Sequence, residues 1–234
     1  MAANTAPPVW WETGLAHLCE GDAVMAALLA RQPHLSLTTR GDPFITLIRA
    51  VVGQQISVKA ADSVWVKTLA CMGDTATPEG VLAVPVDTLR GCGLSGQKVG
   101  YILAIAEGFT DGTVHPDLWD GMTDDEVIDE LMALKGIGRW TAEMFLIFNL
   151  RRPDVLPLDD LGLLKNYALA YGNVPPPKPR SKLTPYEEKS LKRAPKAYRD
   201  VARRLLRQAR VWHPYQTLAT QALWRSLDPV DVSY

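Results

Sequence analysis

The 234-residue sequence lacks a long apolar segment and an N-terminal secretion signal. No run of apolar residues approaches the ~18 that a membrane-spanning helix needs. The first ten residues contain neither the basic stretch nor the apolar core of a signal peptide. These absences argue against membrane-spanning and secreted proteins, and we expect a cytoplasmic protein.

Cysteine is scarce as well. Cys19, Cys71 and Cys92 are odd in number and widely spaced, so no disulfide framework is expected. The sequence has no CxxC pair and no Cys/His cluster, which argues against a zinc site and against an iron–sulfur cluster.

An overall excess of positive charge is also missing, since the formal net charge is −1. The charge is nevertheless uneven: residues 173–210 hold twelve Lys and Arg against three acidic residues. This segment fits a basic surface that faces a polyanion, and it fits an ordinary solvated Lys/Arg-rich helix equally well.

Apolar residues follow helical spacing along most of the chain, and strand-like alternation is nearly absent. Phe44, Leu47, Ile48, Val51 and Val52 fall on one face of a helix, for example. Residues 173–195 contain six prolines, which favour an extended loop over long helices. The sequence therefore predicts an all-α protein with a Pro-rich, basic insertion at 174–196.

A turn between two amphipathic helices, within Asp124–Asn149, is the most informative segment. Gly136 and Gly138 flank the apolar Ile137, which suggests a tight turn with a hydrophobic plug. The first N–H groups of the second helix have no acceptors within that helix, and the helix dipole favours an anion beside them. The turn therefore predicts a phosphate-binding site that needs no net positive charge.

The run LKGIGRWTA at residues 134–142 resembles the hairpin of the helix-hairpin-helix (HhH-GPD) DNA glycosylase superfamily, in particular its bacterial 3-methyladenine DNA glycosylase II branch. The resemblance covers about residues 42–228. It implies two helical subdomains, 1–43 with 160–234 and 44–159, with the active-site cleft between them. It also implies a monomer that acts on damaged bases in double-stranded DNA and associates with the nucleoid.

Asp159 and Asp160 begin a helix 21 and 22 residues after the second hairpin glycine. An arbitrary Asp-Asp pair at a helix start is usually a cap, and spacing alone does not choose between the two. The resemblance places the catalytic aspartate at Asp160 and gives Asp159 a supporting or capping role. A carboxylate there would stabilise the oxocarbenium-like sugar that forms as the base leaves.

Position 140 bears on the type of reaction. Relatives that also cleave the strand carry a Schiff-base lysine where this hairpin has Trp140, and tryptophan cannot form an imine. An alkylated purine is cationic and leaves without a general acid, so one carboxylate suffices, and His213 is the nearest rival acid or base. We therefore expect hydrolysis without lyase activity.

The resemblance also suggests a base pocket and a DNA-binding surface. Trp140 and Trp224 match pocket-lining aromatic residues, whereas Met144 and Leu161 replace tyrosines found in near relatives. Core packing is the alternative for Trp224 and the preferred interpretation for Trp212. The residues expected to bind DNA are Gly136, Gly138, Thr141, Gln54, Gln55 and Ser57. Among them, Gln55 is expected to be the wedge that replaces the flipped base. The backbone carbonyls of Met132, Leu134 and Ile137 are expected to bind a monovalent cation, sodium or potassium.

Three hypotheses therefore remain open. The first is a monofunctional glycosylase that removes alkylated purines such as 3-methyladenine after base flipping. The second is a non-catalytic hairpin module that only binds DNA. The third is a glycosylase for deaminated bases such as hypoxanthine, which ranks lower because a neutral base leaves less readily.

Overall fold

The computed structural model describes residues 6–39, 41–56, 58–73, 76–172, 174–175 and 182–226. Within these ranges every extended regular element is helical, which confirms the all-α prediction. None of the helices there is both long enough and apolar enough to cross a membrane. The α-helices are, in chain order, α1 (Trp11–Gly21), α2 (Ala23–Ala30), α3 (Pro43–Gly53), α4 (Val58–Cys71), α5 (Pro78–Ala83), α6 (Val86–Gly91), α7 (Gly96–Thr110), α8 (Asp124–Met132), α9 (Arg139–Phe148), α10 (Leu161–Tyr171), α11 (Pro185–Leu191), α12 (Arg199–Trp212) and α13 (Gln216–Arg225).

The chain forms two compact units. The first lies within Arg40–Asn149 and contains α3 to α9; the second lies within Asn4–Thr39 and Leu150–Ser233 and contains α1, α2 and α10 to α13. The sequence boundary at 159/160 thus differs from the observed one at 149/150. Residues 150–159 belong to the second unit because Thr217 in α13 binds their backbone, donating from its N–H to the Pro153 carbonyl at 2.9 Å.

In the first unit, α3 forms as its sequence predicts. Asp42 caps it by accepting the Ile45 N–H at 2.8 Å, and Pro43 occupies its first turn. The predicted apolar stripe is buried, with Leu47, Ile48, Val51 and Val52 all at 0 % exposure. Burying such side chains contributes about 1.5–3 kcal/mol each, so α3 is a core helix of this unit.

In the second unit, one buried carboxylate joins three helices through hydrogen bonds. Asp22 caps α2 with one oxygen, and its other oxygen accepts hydrogen bonds from the Tyr171 hydroxyl, the Gln208 amide and the Trp212 indole at 2.7, 2.6 and 2.8 Å. Burial, together with the bond to Asp22, raises the pKa of Tyr171, which therefore remains a donor. Trp212 is fully buried, which confirms core packing for this residue.

Two sequence expectations are wrong. The segment expected to be an extended loop contains α11, which starts at a capping box formed by Thr184 and Glu187; this local capping signal outweighs the surrounding prolines. No disulfide framework was expected, but Cys71 and Cys92 form a disulfide between the end of α4 and the turn after α6. Sequence spacing did not reveal the pairing because tertiary packing brings α4 and α6 together.

Candidate DNA-binding and active site

The hairpin between α8 and α9 has the predicted tight turn. The Ile137 side chain is 5 % exposed, and its N–H donates to the Leu134 carbonyl at 3.1 Å. Gly138 is the N-cap residue of α9 and supplies no side-chain cap. Gly138 is exposed, and a Cβ added there would meet no atom within 4 Å, so no side chain fills the space beside the start of α9.

Both the backbone conformation and the packing at Gly136 require a glycine. Its φ of +96° lies in the region that favours glycine. A Cβ at this position would lie 2.3 Å from the nearest carbon of the Tyr101 ring, so the hairpin backbone rests directly on that ring. Tyr101 is a structural support that the sequence did not reveal.

The two glutamines at the corner between α3 and α4 have different surroundings. The Gln54 amide donates to the Gly136 carbonyl at 3.2 Å, so this side chain is tied to the hairpin. Gln55 is exposed and has a φ of +60°, which is rare for a residue with a side chain. This arrangement favours Gln55 over Gln54 as the wedge; Ser57 lies outside the described residues.

The other hairpin candidates are less exposed. Trp140 is half-buried, whereas Thr141 and Met144 are 7 % and 3 % exposed. A DNA contact at Thr141 is therefore expected from its backbone N–H. Met132 is 45 % exposed at the end of α8, where its carbonyl belongs to the expected cation set.

In the second unit, Asp160 is the N-cap of α10. Its Oδ1 accepts the Leu163 N–H at 2.6 Å and the Trp224 indole N–H at 3.0 Å. Two donors therefore fix the orientation of the carboxylate, and one of them comes from 64 residues further along the chain. Leu161, the next residue, is 40 % exposed.

The neighbour Gly162 and the ion pair of Asp159 were not predicted. A Cβ added at Gly162 would lie 3.1 Å from Asp160 Oδ1 and 3.9 Å from Trp224 Cδ1, so a glycine leaves space for that arrangement. Asp159 forms an ion pair with Arg193, at 3.6 Å between Arg193 Nε and Asp159 Oδ1. Asp160 is therefore the cap, and Asp159 has the supporting position next to it.

The chain matches the model of the HhH-GPD superfamily of base excision DNA repair proteins over residues 48–184. It belongs to this superfamily. It is 37 % identical to DNA-3-methyladenine glycosylase 1 of Schizosaccharomyces pombe over 139 residues, which are 58 % of this chain and 60 % of that protein.

Solved structures of this superfamily show similar folds. The S. pombe 3-methyladenine DNA glycosylase Mag1, in complex with abasic DNA, has a TM-score of 0.69 at 27 % identity, covering 91 % of this chain and 95 % of that one. A DNA-3-methyladenine glycosidase from Bacillus halodurans has a TM-score of 0.73 at 28 % identity, covering 97 % and 93 %. The resemblance stated from the hairpin is thereby confirmed.

Several basic side chains of this HhH-GPD chain already have internal acceptors. Arg210 forms a two-point ion pair with Glu187 at 2.6 and 2.7 Å, and Arg204 donates to the Gly172 carbonyl. Arg203 pairs with Asp200 at 2.8 Å. The basic segment thus serves partly to hold α11 and α12 in place, which supports the structural interpretation of its charge.

His213, the rival acid or base, is paired with Asp154. Its Nδ1 lies 2.6 Å from Asp154 Oδ2, and Asp154 also accepts the Gln216 N–H at the start of α13. The pair links residues 150–159 to α13, which gives His213 a structural role beside any chemical one.

Proposed function

We propose that this chain is a monofunctional DNA glycosylase that hydrolyses the N-glycosidic bond of alkylated purines, such as 3-methyladenine, in duplex DNA. The observation that carries the proposal is the carboxylate of Asp160, oriented by Leu163 and Trp224 in a chain of the HhH-GPD superfamily. The S. pombe and Bacillus halodurans proteins named above as 3-methyladenine glycosylase and glycosidase support the substrate class. The enzyme would act as a monomer on chromosomal DNA in the cytoplasm.

The chemistry follows from the charge that develops on the sugar. As the bond to the base lengthens, positive charge builds on the deoxyribose, and a fixed carboxylate stabilises this state more than the ground state. The alkylated purine already carries positive charge, so it departs as a neutral base without an acid. Asp160 thus supplies electrostatic stabilisation and a place to orient the attacking water.

Trp224 has a positioning role in this proposal in addition to lining the base pocket. Its indole N–H holds the carboxylate, and hydrogen bonds to charged groups are worth about 1.5–3 kcal/mol. Trp224→Phe keeps an aromatic face for the base and removes the donor. We expect base release to slow about 10- to 100-fold with DNA affinity little changed; equal losses in rate and affinity would favour stacking as the main role.

The absence of lyase activity rests on Trp140. This residue stands on the first turn of α9, where relatives that cleave the strand carry lysine, and its ring cannot attack the sugar as an amine. We expect an intact strand bearing an abasic site. Treatment with borohydride during the reaction tests this, because a trapped protein–DNA adduct would contradict it.

A monovalent cation at the hairpin is a further part of the proposal. The carbonyl of Leu134 accepts the Ile137 N–H and keeps a second lone pair. Together with the carbonyls of Met132 and Ile137 it would form a neutral oxygen set, a donor type that suits potassium or sodium. The ion would add positive charge beside the phosphate. Replacing both ions with tetramethylammonium should then weaken DNA binding, and unchanged affinity would contradict the site.

The decisive experiment compares wild-type protein with Asp160→Asn. Release of methylated bases from methylated duplex DNA is measured by chromatography, and binding to a duplex with an abasic analogue is measured in parallel. We expect release to fall about 100- to 1,000-fold while binding is kept, by analogy with removal of one transition-state stabilising group. A fully active variant would refute the assignment of Asp160.

The same assay separates the alternatives. A wild-type protein that binds but releases no base would be a non-catalytic hairpin module. Release of hypoxanthine in preference to methylated purines would indicate a glycosylase for deaminated bases. The oriented carboxylate favours catalysis over binding alone, because a binding module has no need for the Trp224 contact.

A further inference from the structure

Two loops expected to face DNA, the α3–α4 corner and the α8–α9 hairpin, are joined by a side chain. The Gln54 amide nitrogen lies 3.2 Å from the Gly136 carbonyl oxygen, 82 residues away in sequence. Gln54 is half-buried and ends α3, and the exposed Gln55 follows it. The hydrogen bond therefore connects the residue before the wedge with the residue two positions before the N-cap of α9.

The conformation of Gln55 depends on its surroundings. A φ of +60° is unfavourable for a residue with a Cβ, and such a conformation persists only where neighbouring contacts impose it. Two backbone bonds hold the turn itself, from the Gln54 N–H to the Val51 carbonyl at 3.2 Å and from the Ile56 N–H to the Gly53 carbonyl at 3.5 Å. Two side-chain bonds then fix its position: the Gln54 bond to Gly136, and a bond from the Lys98 ammonium to the Val52 carbonyl at 2.7 Å.

Helix α7 contacts both loops. Lys98 binds the last turn of α3, and Tyr101, one turn further along α7, carries the backbone of Gly136 on its ring. Burial lowers the pKa of Lys98, because partial removal from water disfavours the charged ammonium. The corner and the hairpin thus both pack on α7, and one hydrogen bond joins them directly.

We propose that Gln54 is a positioning residue that couples the phosphate-binding hairpin to the wedge Gln55. A strand held at the start of α9 fixes the hairpin, and the Gln54–Gly136 bond then sets where Gln55 enters the base stack. The amide works by holding the backbone, not by contacting the gap itself. This inference rests on the proposed glycosylase function and concerns its base-flipping step.

The test separates base flipping from bond cleavage. Methylated poly(dA) is assayed alone, where no partner base must be replaced, and after annealing to poly(dT), where flipping opens a gap. Gln54→Met keeps the length of the side chain and removes the donor; Gln54→Glu keeps the shape and cannot donate while ionised. We expect both variants to release 3-methyladenine about three- to tenfold more slowly from the duplex, with less than about a twofold change on the single strand.

A control and a double variant sharpen the test. Thr113→Val removes a different side-chain hydrogen bond from the same unit, the one to Asp111 at the turn after α7, and should change neither rate. If Gln54 acts through Gln55, then Gln54→Met should cost little more in a Gln55→Ala background, because coupled residues are not additive. Fully additive losses would contradict the coupling.

The remaining outcomes are also decisive. Equal losses on both polymers, including loss through unfolding, would show a merely structural role, and no loss on the duplex would show that Gln54 does not position the wedge. A wild-type protein inert on both polymers would instead refute the proposed function. The coupling would then be judged from binding to a duplex with an abasic analogue, which Gln54→Met should weaken about three- to tenfold, with unchanged affinity overturning it.

Discussion

Replacing Gly162 with alanine should lower activity while it leaves stability nearly unchanged. Gly162 is the second residue of α10, and its φ lies outside the region reserved for glycine, so the backbone accepts alanine without strain. The new Cβ would lie 3.1 Å from Asp160 Oδ1, closer than an ordinary van der Waals contact. The carboxylate must therefore move by a few tenths of an ångström.

The size of the effect follows from what holds Asp160. Its Oδ1 is fixed by donors at 2.6 and 3.0 Å, so movement away from the new methyl group stretches one or both bonds. A misplacement of 1 Å in a catalytic site can cost on the order of 100-fold, and a shift of a few tenths should cost about tenfold or less. Alanine in a helix, by contrast, gains up to about 0.5–1 kcal/mol over glycine.

The assay is single-turnover release of methylated bases, together with thermal unfolding. Gly91→Ala is the matched control, because Gly91 is also helical and a Cβ there meets no atom within 4 Å; it should keep full activity. We expect Gly162→Ala to be at least as stable as wild type within about 1 kcal/mol and clearly slower. Full activity would refute the claim that Gly162 makes room for the carboxylate.

Three further predictions follow from the structure. Gly136→Ala should lower stability by at least about 1–3 kcal/mol, because it combines a positive φ with a clash against Tyr101, and DNA binding measured by fluorescence anisotropy should fall; preserved affinity would contradict the role of the turn. The bond from Arg210 lowers the pKa of Glu187, so their pair stabilises the fold above the ordinary carboxyl pKa and this contribution is lost as pH falls through the lowered value. Glu187→Gln should thus cost about 1 kcal/mol in urea unfolding at neutral pH and progressively less in acid, and a cost independent of pH would argue against the pair. Asp22→Asn should lower the midpoint of thermal unfolding, because the carboxylate accepts the bonds that join α2, α10 and α12; an unchanged midpoint would contradict this.

Local signals in the sequence were sufficient for several of the helices and for the hairpin, although they missed α11. The apolar spacing of residues 44–52 predicted α3, which begins after its cap Asp42, and a local capping box of Thr123 and Glu126 starts α8. The turn at 136–138 was predicted because glycine conformations and helix ends are properties of a few neighbouring residues. Asp160 as a helix-start carboxylate belongs to the same class of local information.

The contacts that turn these elements into a candidate site were not predictable in this way. The Trp224 bond to Asp160 and the Gln54 bond to Gly136 join residues 64 and 82 positions apart. Neither residue type specifies its partner, and many alternatives exist within the chain. The roles of Tyr101 and Gly162 were missed for the same reason, since each depends on which surface the fold places against it.

The distribution of charge resolves the apparent conflict between a net charge of −1 and the DNA substrate that we propose. At least three arginines of the basic segment, Arg203, Arg204 and Arg210, are engaged by acceptors within the protein, so the segment offers fewer charges to a polyanion than its composition suggests. The hairpin needs none of them, because backbone N–H groups and the dipole of α9 attract a phosphate through partial charges. Attraction of this kind acts over the first turn of a helix and not over the whole surface. A chain close to neutrality can therefore bind a phosphate at the hairpin, as the proposed function requires, without a basic surface.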